Sequence, residues 1–592
     1  MCGIYGYVDQ HACVLSNKTL REMGKKIAHR GPDGRGCYHD EDACVALGNQ
    51  RLAIIDVEHG DQPFYSSDNK IVVVQNGEIF NHVELAEELE QDGYPCATHS
   101  DTEVILRLYE RDGIDGISLL NGMFAIAIYD KRIDTVFLVR DRVGEKPLYY
   151  LYEDKRVLFA SEIKSILEAT GKRELDTTAL NEFFSFNYVP SPSTLFSGVR
   201  HVQPGHYVEI TTSDVTEHRW WDVSLVEIAE KTEEEWIEEF NIILDDSVRI
   251  RLRADVLFGA FLSGGVDSSS VVGIMSKHLS QPVKTFCIGF DDPKYDESQF
   301  AQEAAERFAT DHIMKKVEPN LIDLWPMATY HCDQPHGDVS FLPTYKVASL
   351  ASEHVKMVLT GDGADELFAG YDKYRDFFTT EVLAMPDDIF QQHYADNISL
   401  FTEEDRERLY TPVLRKQIGE LSMRQVLSPV YERCSSMDRI NQALYIDTML
   451  LLSGNNLVKP DRMGMAVSIE NRSPFLDYRM IELAFSMPGN LKLKEGETKY
   501  IYKKAVAPLI GKHLAYRKKQ MFTVPIGNWF KTELAEMCND LLFSNQATSR
   551  GYFETGFVRS LYENHCDGTE NNTREIRALL AFEIWCREFL DD

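Results

Sequence analysis

The chain has 592 residues, which at about 100–200 residues per domain is enough for two or more domains. Its 94 aspartate and glutamate residues outnumber 62 lysine and arginine residues, and the net charge of -32 opposes non-specific binding to nucleic acid or to an anionic membrane. No apolar run is long enough to span a bilayer, the N-terminus lacks the pattern of a signal peptide, and the 11 cysteines are scattered without a C-x-x-C pair. These features favour a cytoplasmic protein with reduced thiols and with neither a nucleic-acid nor a membrane partner.

The chain opens with MCGIYG, which places a cysteine directly after the start methionine. If Met1 is removed, Cys2 carries both a thiol and a free α-amine. The reference pKa of such an amine is about 7.7–8.0 and that of the thiol is about 8.5. One residue can then supply a nucleophile and its base. On these six residues alone, the alternative is a cysteine without a role.

The first part of the chain predicts a mixed α and β domain. The runs "IVVVQNGEIF", "MFAIAIYD" and "TVFLVRD" are apolar and β-branched, as strands are, and "NHVELAEELEQDGY" and "DTEVILRLYERDG" have the pattern of helices that end near glycine. We predict an α+β sandwich over residues 1–210. Residues 211–234 are predicted to form an exposed connector.

The pattern changes at residue 235, where strands begin to alternate with helices. An apolar strand over 256–262 is followed by a Ser-Gly-Gly turn and a helix, and "VKTFCIGF" and "VKMVLTGDGADE" repeat the strand-then-turn pattern. This alternation predicts a parallel sheet with helices on both faces, in which ligands bind beyond the carboxyl ends of the strands. After about Tyr374 the chain is predicted to be mostly helical, so the second domain spans 235–592.

The stretch "LSGGVDSSS" has the pattern of a phosphate-binding loop. Ser263, Gly264 and Gly265 leave main-chain N–H groups free for an anion, and the next helix adds its positive end and the Ser268 hydroxyl. Asp267 fits an anion site only if a divalent cation bridges it to phosphate. The alternative is an ordinary strand–helix connection. No G-K-[ST] follows, so this is not a Walker loop, but S-G-G-x-D-S matches the pyrophosphate-binding loop of ATP pyrophosphatases.

The second turn, "TGDGADE", offers the main chain of Thr360 and Gly361 and several carboxylates. Acidic residues in a turn are usually only a solvated loop. Beside a phosphate loop, Asp365 and Asp267 together are predicted to hold Mg²⁺ on a leaving pyrophosphate. Asp362 belongs to the same acidic turn.

Two further stretches contain chemically active residue types. In "EGETKYIYKKA", Lys499 is a cation able to stabilise charge at a reacting carbonyl, although an isolated lysine is ordinarily a surface residue. In "YHCDQPH", the spacing of His331, Cys332 and His336 fits no strong zinc pattern, so a packing or substrate-pocket role is favoured.

Taken together, these motifs resemble the glutamine-dependent asparagine synthetase family over most of the chain. "MCGIYG", "HRGPD", "QRLAIID", "QNGEIFN", "SDTEV" and "NGMFAIAIYD" occur in the family's order, as do "VKPDRMGMAVSIENRSPFLDYRM", G-x-x-K-Y and "VPIGNW". The resemblance implies an N-terminal class II glutamine amidotransferase domain, an αββα N-terminal-nucleophile sandwich. It also implies a C-terminal ATP-pyrophosphatase-type synthetase domain with a helical end.

The resemblance assigns roles to individual residues. Cys2 is the nucleophile, Asn76 and Gly77 form the oxyanion hole, Lys499 is the catalytic lysine, and Asp362 faces the reacting substrate. Glutamine would be bound by Arg51, Leu52, Ile55, Asn76, Gly77, Glu78 and Asp101, with Arg51 on its α-carboxylate and Asp101 on its α-amine. ATP would be bound by Leu262, Ser263, Gly264, Gly265, Asp267, Ser268, Ile288, Thr360 and Gly361.

The implied reaction converts ATP, L-aspartate, L-glutamine and water to AMP, pyrophosphate, L-asparagine and L-glutamate. It proceeds through a glutamyl thioester, ammonia transfer in an internal tunnel and an acyl-adenylate, with Mg²⁺. A homodimer is the family expectation. Two alternatives stay open: the same chemistry on another carboxylate, such as a cell-wall or secondary-metabolite acid, and a non-catalytic homologue that binds nucleotide.

Five positions depart from the family pattern. Asp362 stands where many members have glutamate, Gln334 where an acidic residue is common, and Met521 where glycine is usual. Pro460 and Glu145 replace small or aliphatic residues. None belongs to the predicted glutaminase site, and several lie in the half that selects the acceptor, so the acceptor stays open.

Overall fold

The computed structural model describes residues 2–11, 15–292, 296–317, 319–420, 422–518 and 525–591. Met521 therefore lies outside the described residues. The strands of the first half are β1 Gly3–Asp9, β2 Gly34–Asp40, β3 Val45–Arg51, β4 Phe64–Tyr65, β5 Ile71–Ile79, β6 Gly122–Asp130, β7 Thr135–Arg140, β8 Tyr149–Glu153, β9 Arg156–Ala160, β10 Val199–His201, β11 His206–Ile210 and β12 Val215–Arg219. Its α-helices are α1 Asn17–Lys26, α2 His82–Gln91, α3 Asp101–Asp112, α4 Ile163–Thr170 and α5 Thr177–Phe186.

These strands form two antiparallel sheets that pack face to face. Their orders are β10-β8-β9-β1-β3-β2 and β12-β11-β7-β6-β5-β4. Along β1, Ile4 and Val8 point into the apolar layer between the sheets, whereas Tyr5 and Tyr7 point outward beneath α1 and α4. Helices α2 and α3 cover the other sheet. Because both faces of each sheet are covered, the strands are apolar on both sides, and the predicted αββα sandwich is confirmed.

The second half is built on a parallel sheet. Its strands are β13 Phe258–Phe261, β14 Lys284–Gly289, β15 Asp311–Lys316, β16 Met357–Leu359 and β17 Glu470–Arg472, followed by the hairpin β18 Leu493–Lys494 and β19 Glu497–Thr498. The sheet order is β15-β14-β13-β16-β17, with every pair parallel. The predicted α/β class is confirmed, although β13 is shorter than the predicted strand over 256–262.

The chain order reverses at β13, whose neighbours are β14 on one side and β16 on the other. Such a switch point leaves a crevice at the carboxyl ends of the two strands. The helices around this sheet are α6 Glu233–Arg251, α7 Val266–His278, α8 Ser298–Phe308, α9 Trp325–Cys332, α10 Phe341–Ser352, α11 Ala364–Leu367, α12 Asp372–Phe377, α13 Thr380–Leu383, α14 Asp387–Ile398, α15 Glu403–Leu409, α16 Pro412–Ile418, α17 Arg424–Arg433, α18 Arg439–Ile446, α19 Val458–Met465, α20 Tyr478–Ser486, α21 Tyr500–Ile510, α22 Lys512–Tyr516, α23 Ile526–Trp529, α24 Ala535–Phe543, α25 Asn545–Ser549, α26 Thr555–Asp567 and α27 Thr573–Phe589. A π-helix, Asp447–Asn456, joins α18 to α19.

The two halves share their apolar cores. Tyr5 of β1 lies in the same buried cluster as Trp325 and Met463, and Leu52 lies in a cluster with residues of the second half. The domain limits stay a prediction; within the predicted connector, β12 pairs with β11.

Two sequence-based expectations about the environment of the chain can be compared with the described residues. Within them, no helix is both long and apolar enough to cross a membrane. Nine of the described cysteines are free thiols, whereas Cys44 is disulfide-bonded, so the expectation of reduced thiols is wrong at that residue.

Candidate active sites

Cys2 lies immediately before β1, and its side chain is buried. Its N–H donates to Asn76 Oδ1 at 3.1 Å, and its carbonyl accepts from Arg30 Nε at 3.0 Å. Burial raises the pKa of the Cys2 thiol, while hydrogen bonds from the Leu52 main chain and the Asn49 side chain oppose that rise. The thiol is therefore neutral near pH 7 and needs a base before it can attack an electrophile.

Asn76 and Gly77 lie on β5, directly across from Cys2. Asn76 is fully buried and its Nδ2 also approaches Ser161 Oγ at 3.4 Å. Gly77 has φ +149, and a Cβ at this position would lie 2.0 Å from the Met123 carbonyl oxygen. Only glycine fits here, because β6 approaches the main chain too closely for a side chain. The structure thus brings the predicted nucleophile and Asn76 into direct contact.

Arg51 ends β3, and its guanidinium is held by the following loop. It donates to Asp61 Oδ1 at 2.7 Å and to the Asp56 carbonyl at 2.7 Å, with a longer contact to the carbonyl of Ile55 at 3.4 Å. This loop reaches towards the start of α3, because Asp56 Oδ2 accepts the N–H of His99. Arg51 and Ile55 are therefore placed in one loop beside the helix that begins with Asp101.

Glu78 and Asp101 form a buried acidic pair. Asp101 accepts hydrogen bonds from Ile79 N at 2.9 Å and Gln75 Nε2 at 3.1 Å. Burial raises the pKa of Glu78 well above its usual value, with Asp101 adding to the rise and Arg472 opposing it. Arg472 comes from β17 of the second domain and its Nη2 lies 3.4 Å from Glu78 Oε1. A residue of the second domain therefore forms part of the wall of the predicted glutamine site.

The predicted phosphate loop connects β13 to α7. Gly264 has φ +71, and a Cβ there would lie 2.2 Å from the main-chain carbon of Phe300 in α8. The turn is closed by Ser268 Oγ, which accepts from Ser263 N at 3.2 Å, and by Ser263 Oγ, which accepts from Gly265 N at 3.3 Å. The prediction that these two N–H groups are free is therefore wrong, because the loop uses them to hold its own shape. Helix α7 begins after Gly265 without a side-chain cap, so its first N–H groups are available to an anion.

The turn that follows β16 packs against this loop. A Cβ on Gly361 would lie 2.6 Å from Asp267 Cβ, so the two turns are in contact. Thr360 N donates to the Arg472 carbonyl at 2.9 Å, and its hydroxyl donates to Asp362 Oδ2 at 2.7 Å. Both predicted nucleotide turns therefore lie at the switch point of the sheet.

Lys499 lies between the two predicted metal ligands. Its ammonium is 2.6 and 2.7 Å from the carboxylate oxygens of Asp267 and 2.8 Å from Asp365 Oδ1. Burial alone would lower the pKa of Lys499, but the two carboxylates raise it, so the ammonium stays charged. Lys499 has φ +53, in the left-handed region, and α21 begins at the next residue. Three residues predicted from separate motifs thus meet in one cluster.

The remaining predicted nucleotide residues lie on the sheet next to this cluster. Leu262, directly after β13, and Ile288, on β14, are buried, and Leu262 N donates to the Phe286 carbonyl at 3.0 Å. They offer an apolar surface beside the phosphate loop.

Two of the departures from the family pattern, Asp362 and Gln334, have contacts in the described residues. Asp362 is half-buried, and desolvation raises the pKa of its carboxyl group. Gln334 Oε1 accepts the N–H of Leu195 at 2.9 Å, which joins the two halves of the chain. Whether Gln334 affects the choice of acceptor stays a prediction.

Sequence reasoning missed three residues that contact the predicted glutaminase site: Asn49, Arg30 and Arg472. Arg30 is part of the quoted "HRGPD" motif, so its position was available although its contact with Cys2 was not. Arg472 likewise lies in the quoted stretch "VKPDRMGMAVSIENRSPFLDYRM", although its contact with Glu78 was not available from the sequence. Asn49 gave no signal, because an isolated polar residue in a strand does not indicate which site it faces.

Comparison with known proteins follows the same division of the chain. A family model described as asparagine synthase matches residues 239–587, and a glutamine amidotransferase domain model matches residues 1–221. The chain is 35% identical to asparagine synthetase [glutamine-hydrolyzing] 1 of Bacillus subtilis over 99% of this chain and 96% of that protein.

The chain belongs to the asparagine synthase family. The resemblance found from the motifs is thereby confirmed, and the chain is a ligase of the glutamine-dependent type. A putative asparagine synthetase [glutamine-hydrolyzing] of Mycobacterium tuberculosis is 31% identical over 100% of this chain and 98% of its own. Amidase chyE of Penicillium rubens is 27% identical over 95% of this chain and 94% of its own.

Proposed function

We propose that this asparagine synthase family member makes L-asparagine from L-aspartate, with L-glutamine as nitrogen donor and ATP as the activating co-substrate. The observation that carries the proposal is the position of β17 between the two sites. The Arg472 side chain reaches Glu78, while its carbonyl accepts the N–H of Thr360 in the nucleotide turn. One strand thus contacts both the glutamine site and the activation site.

In the proposed first step, the Cys2 sulfur attacks the side-chain amide of glutamine. The α-amine of Cys2, freed by removal of Met1, takes the thiol proton, since its pKa of about 7.7–8.0 suits a base near neutrality. Asn76 Nδ2 and the Gly77 N–H donate to the oxyanion, and collapse of the tetrahedral species gives a thioester and ammonia. Water then releases glutamate and restores Cys2.

The charges around the site support the binding of a zwitterionic amino acid. Glu78, Asp101 and Glu470 lie close to the Arg472 guanidinium, and the Lys146 ammonium also acts on Glu470, so three carboxylates face two cationic side chains. This excess of carboxylates favours a cationic group such as the α-ammonium of glutamine. In the proposal, Arg51 holds the α-carboxylate through a charge-assisted hydrogen bond, and Leu52 and Ile55 contact the rest of the substrate.

In the proposed second reaction, the acceptor carboxylate attacks the α-phosphate of ATP, which forms an acyl-adenylate and releases pyrophosphate. The first main-chain N–H groups of α7 and the Ser268 hydroxyl bind the leaving group. Lys499 stabilises charge as ammonia adds to the acyl carbon and AMP departs. Ammonia reaches the acyl carbon by a path inside the protein, where it is not protonated by bulk water.

Asp267 and Asp365 are the proposed magnesium ligands. They fit a divalent cation, because their carboxylates already converge on one cationic group, the Lys499 ammonium. Bound Mg²⁺ would neutralise charge on the pyrophosphate. Because Lys499 contacts both carboxylates, binding of the metal requires the lysine to move away from them.

A second candidate keeps the chemistry and changes the acceptor. Asp362 is one methylene shorter than the glutamate common in the family, so its carboxylate reaches less far into the acceptor site. The similarity to amidase chyE is compatible with such a change. The homodimer and the cytoplasmic location stay predictions.

The test is pyrophosphate release with Mg²⁺, ATP and glutamine, with and without L-aspartate, with products identified by mass. The proposal predicts that aspartate triggers release and that asparagine appears in equal amount. If glutamate forms but aspartate changes nothing, the glutaminase stands and the acceptor is another carboxylate.

A further inference from the structure

A buried ionic contact crosses the domain interface next to Cys2. Asp461 lies on α19 of the second domain, and Arg30 lies just after α1 of the first. Arg30 Nη1 is 2.8 Å from Asp461 Oδ2, and Arg30 Nη2 is 3.0 Å from Asp461 Oδ1. Both side chains are almost completely buried. Two parallel hydrogen bonds of this kind fix the plane of a guanidinium as well as its position.

The third edge of the same guanidinium contacts the proposed nucleophile. Arg30 Nε donates to the Cys2 carbonyl at 3.0 Å. The aliphatic part of Arg30 packs on the next residue, since a Cβ on Gly3 would lie 3.2 Å from Arg30 Cδ. Arg30 therefore fixes the peptide plane between Cys2 and Gly3, and with it the direction in which the Cys2 side chain leaves the main chain.

Asp461 is the partner that determines the orientation of Arg30. Glu162, from the first domain, contacts Nη1 at 2.9 Å, a nitrogen that it shares with Asp461. Among the described residues, Nη2 has its hydrogen bond to Asp461 alone. Without the Asp461 carboxylate, Arg30 keeps one carboxylate contact, from Nη1 to Glu162, and loses the two parallel hydrogen bonds that fix the plane of its guanidinium. The Cys2 carbonyl then accepts its hydrogen bond from a guanidinium whose orientation is no longer fixed.

We propose that Asp461 is a positioning residue for the glutaminase site: a carboxylate of the synthetase domain that aligns Cys2 through Arg30. The inference rests on the proposed role of Cys2 and extends it across the domain interface. Glutamine hydrolysis then depends on correct docking of α19. Arg30 touches the carbonyl of Cys2 and not its sulfur, so Asp461 acts on geometry and leaves the acidity of the thiol unchanged.

The test compares Asp461→Asn with Asp477→Asn. Asp477 is a matched control: it is also a buried carboxylate of the second domain, and it accepts from Asn121 Nδ2 of the first domain at 3.0 Å. Its ion pairs go to Arg251 and Arg479 rather than to Arg30. Both variants lose one interface charge, and only Asp461→Asn loosens Arg30.

Glutamine hydrolysis is measured in the intact chain without ATP. Asp461→Asn is expected to lower kcat by about 10- to 100-fold, with KM changed by less than about threefold, because misplacement of the nucleophile acts on the chemical step. Asp477→Asn is expected to keep kcat within about twofold of wild type. Asp461→Glu, which retains the carboxylate, is expected to recover part of the lost kcat. Equal losses in both asparagine variants, or no loss in Asp461→Asn, would overturn the proposal.

A second readout separates positioning from electrostatics. Alkylation of Cys2 by iodoacetamide is followed by mass spectrometry over a pH series. The apparent thiol pKa of Asp461→Asn should match that of wild type within about half a unit, while the limiting rate differs. A larger pKa shift would overturn the positioning role.

Failure of the proposed function gives a different result. If wild type and Cys2→Ala release ammonia from glutamine equally, the glutaminase assignment fails. The limiting alkylation rates then decide the inference by themselves: a change in Asp461→Asn that Asp477→Asn lacks supports it, and equal rates overturn it.

Discussion

Replacement of Lys499 by methionine should strengthen the binding of a divalent cation to the nucleotide-free protein. The Lys499 ammonium lies between Asp267 and Asp365, the proposed magnesium ligands. An ammonium and a metal ion that use the same oxygens compete for them. Methionine keeps a similar length and removes the charge, so the two carboxylates are left to a metal ion.

The size of the effect follows from the geometry of the cluster. Two unit charges at the 2.8 Å separation of Lys499 and Asp365 attract by about 6 kcal/mol at an effective dielectric constant of about 20. Desolvation of buried charges offsets most of that attraction, which leaves a net contribution of about 1.5–3 kcal/mol. Removal of the competing ammonium should therefore tighten metal binding by about 10- to 100-fold.

The assay is a titration of nucleotide-free protein with Mn²⁺, read by electron paramagnetic resonance. Lys504→Met is the matched control, because Lys504 lies on α21, the helix that follows Lys499, and pairs with Glu233 rather than with Asp267 or Asp365. It should bind Mn²⁺ as wild type does, and Asp267→Asn combined with Lys499→Met should lose the gain. If Lys499→Met binds Mn²⁺ no more tightly than Lys504→Met, the metal assignment of Asp267 and Asp365 is wrong.

Three further predictions concern the separate parts of the chain. Cys2→Ala should abolish glutamine-dependent synthesis and leave ammonia-dependent synthesis intact; loss of both in a product assay would contradict separate sites. Gly361→Ala should raise KM for ATP by about tenfold and leave the rate of glutamine hydrolysis unchanged, because the new Cβ would lie 2.6 Å from Asp267 Cβ. Unchanged ATP kinetics would count against contact between the two turns. Burial lowers the pKa of Lys492 to about 7 in the folded protein. At pH values between about 7 and the pKa of an exposed lysine, Lys492 is therefore protonated in the unfolded chain and neutral in the folded one. The free energy of unfolding of wild type, relative to Lys492→Met, should therefore rise by about 2 kcal/mol from about pH 7 to pH 9 in urea titrations, and a flat difference would refute the lowered pKa.

The fold could be predicted from the sequence where local patterns are strong. The β-branched run of β5 and the apolar runs of β6 and β7 leave few alternatives to strands, and a Ser-Gly-Gly turn between an apolar strand and a helix marks the phosphate loop. The positions of the glycine residues supplied much of this information. Gly264 and Gly361 occur where another main chain or side chain approaches too closely for a Cβ.

What could not be predicted depends on contacts between distant parts of the chain. Strand β17 consists of three polar residues, Glu470–Arg472, and has no strand pattern of its own. It becomes a strand because β16 supplies hydrogen-bond partners and because its charges find partners in the first domain. The contact between Lys499 and Asp267, 232 positions apart, likewise follows from the packing of α21 on α7 and is absent from either motif. The contact of Gln334 with Leu195, 139 positions earlier, was likewise absent from its motif.

The buried charges at the interface explain how two domains with separate chemistry keep one relative position. Apolar clusters such as the one that contains Tyr5 and Met463 supply buried area, but they tolerate small shifts of one surface over another. Replacing a buried ion pair by well-packed apolar residues often costs no stability, so stability alone does not account for Arg30–Asp461 and Arg472–Glu78. The bidentate Arg30–Asp461 pair is satisfied in one geometry, whereas Arg472 approaches Glu78 through one nitrogen at 3.4 Å. Both arginines contact a residue of the predicted glutaminase site. We infer that the charges are retained because they fix the docking angle at which Cys2, the glutamine pocket and the nucleotide turns are aligned together.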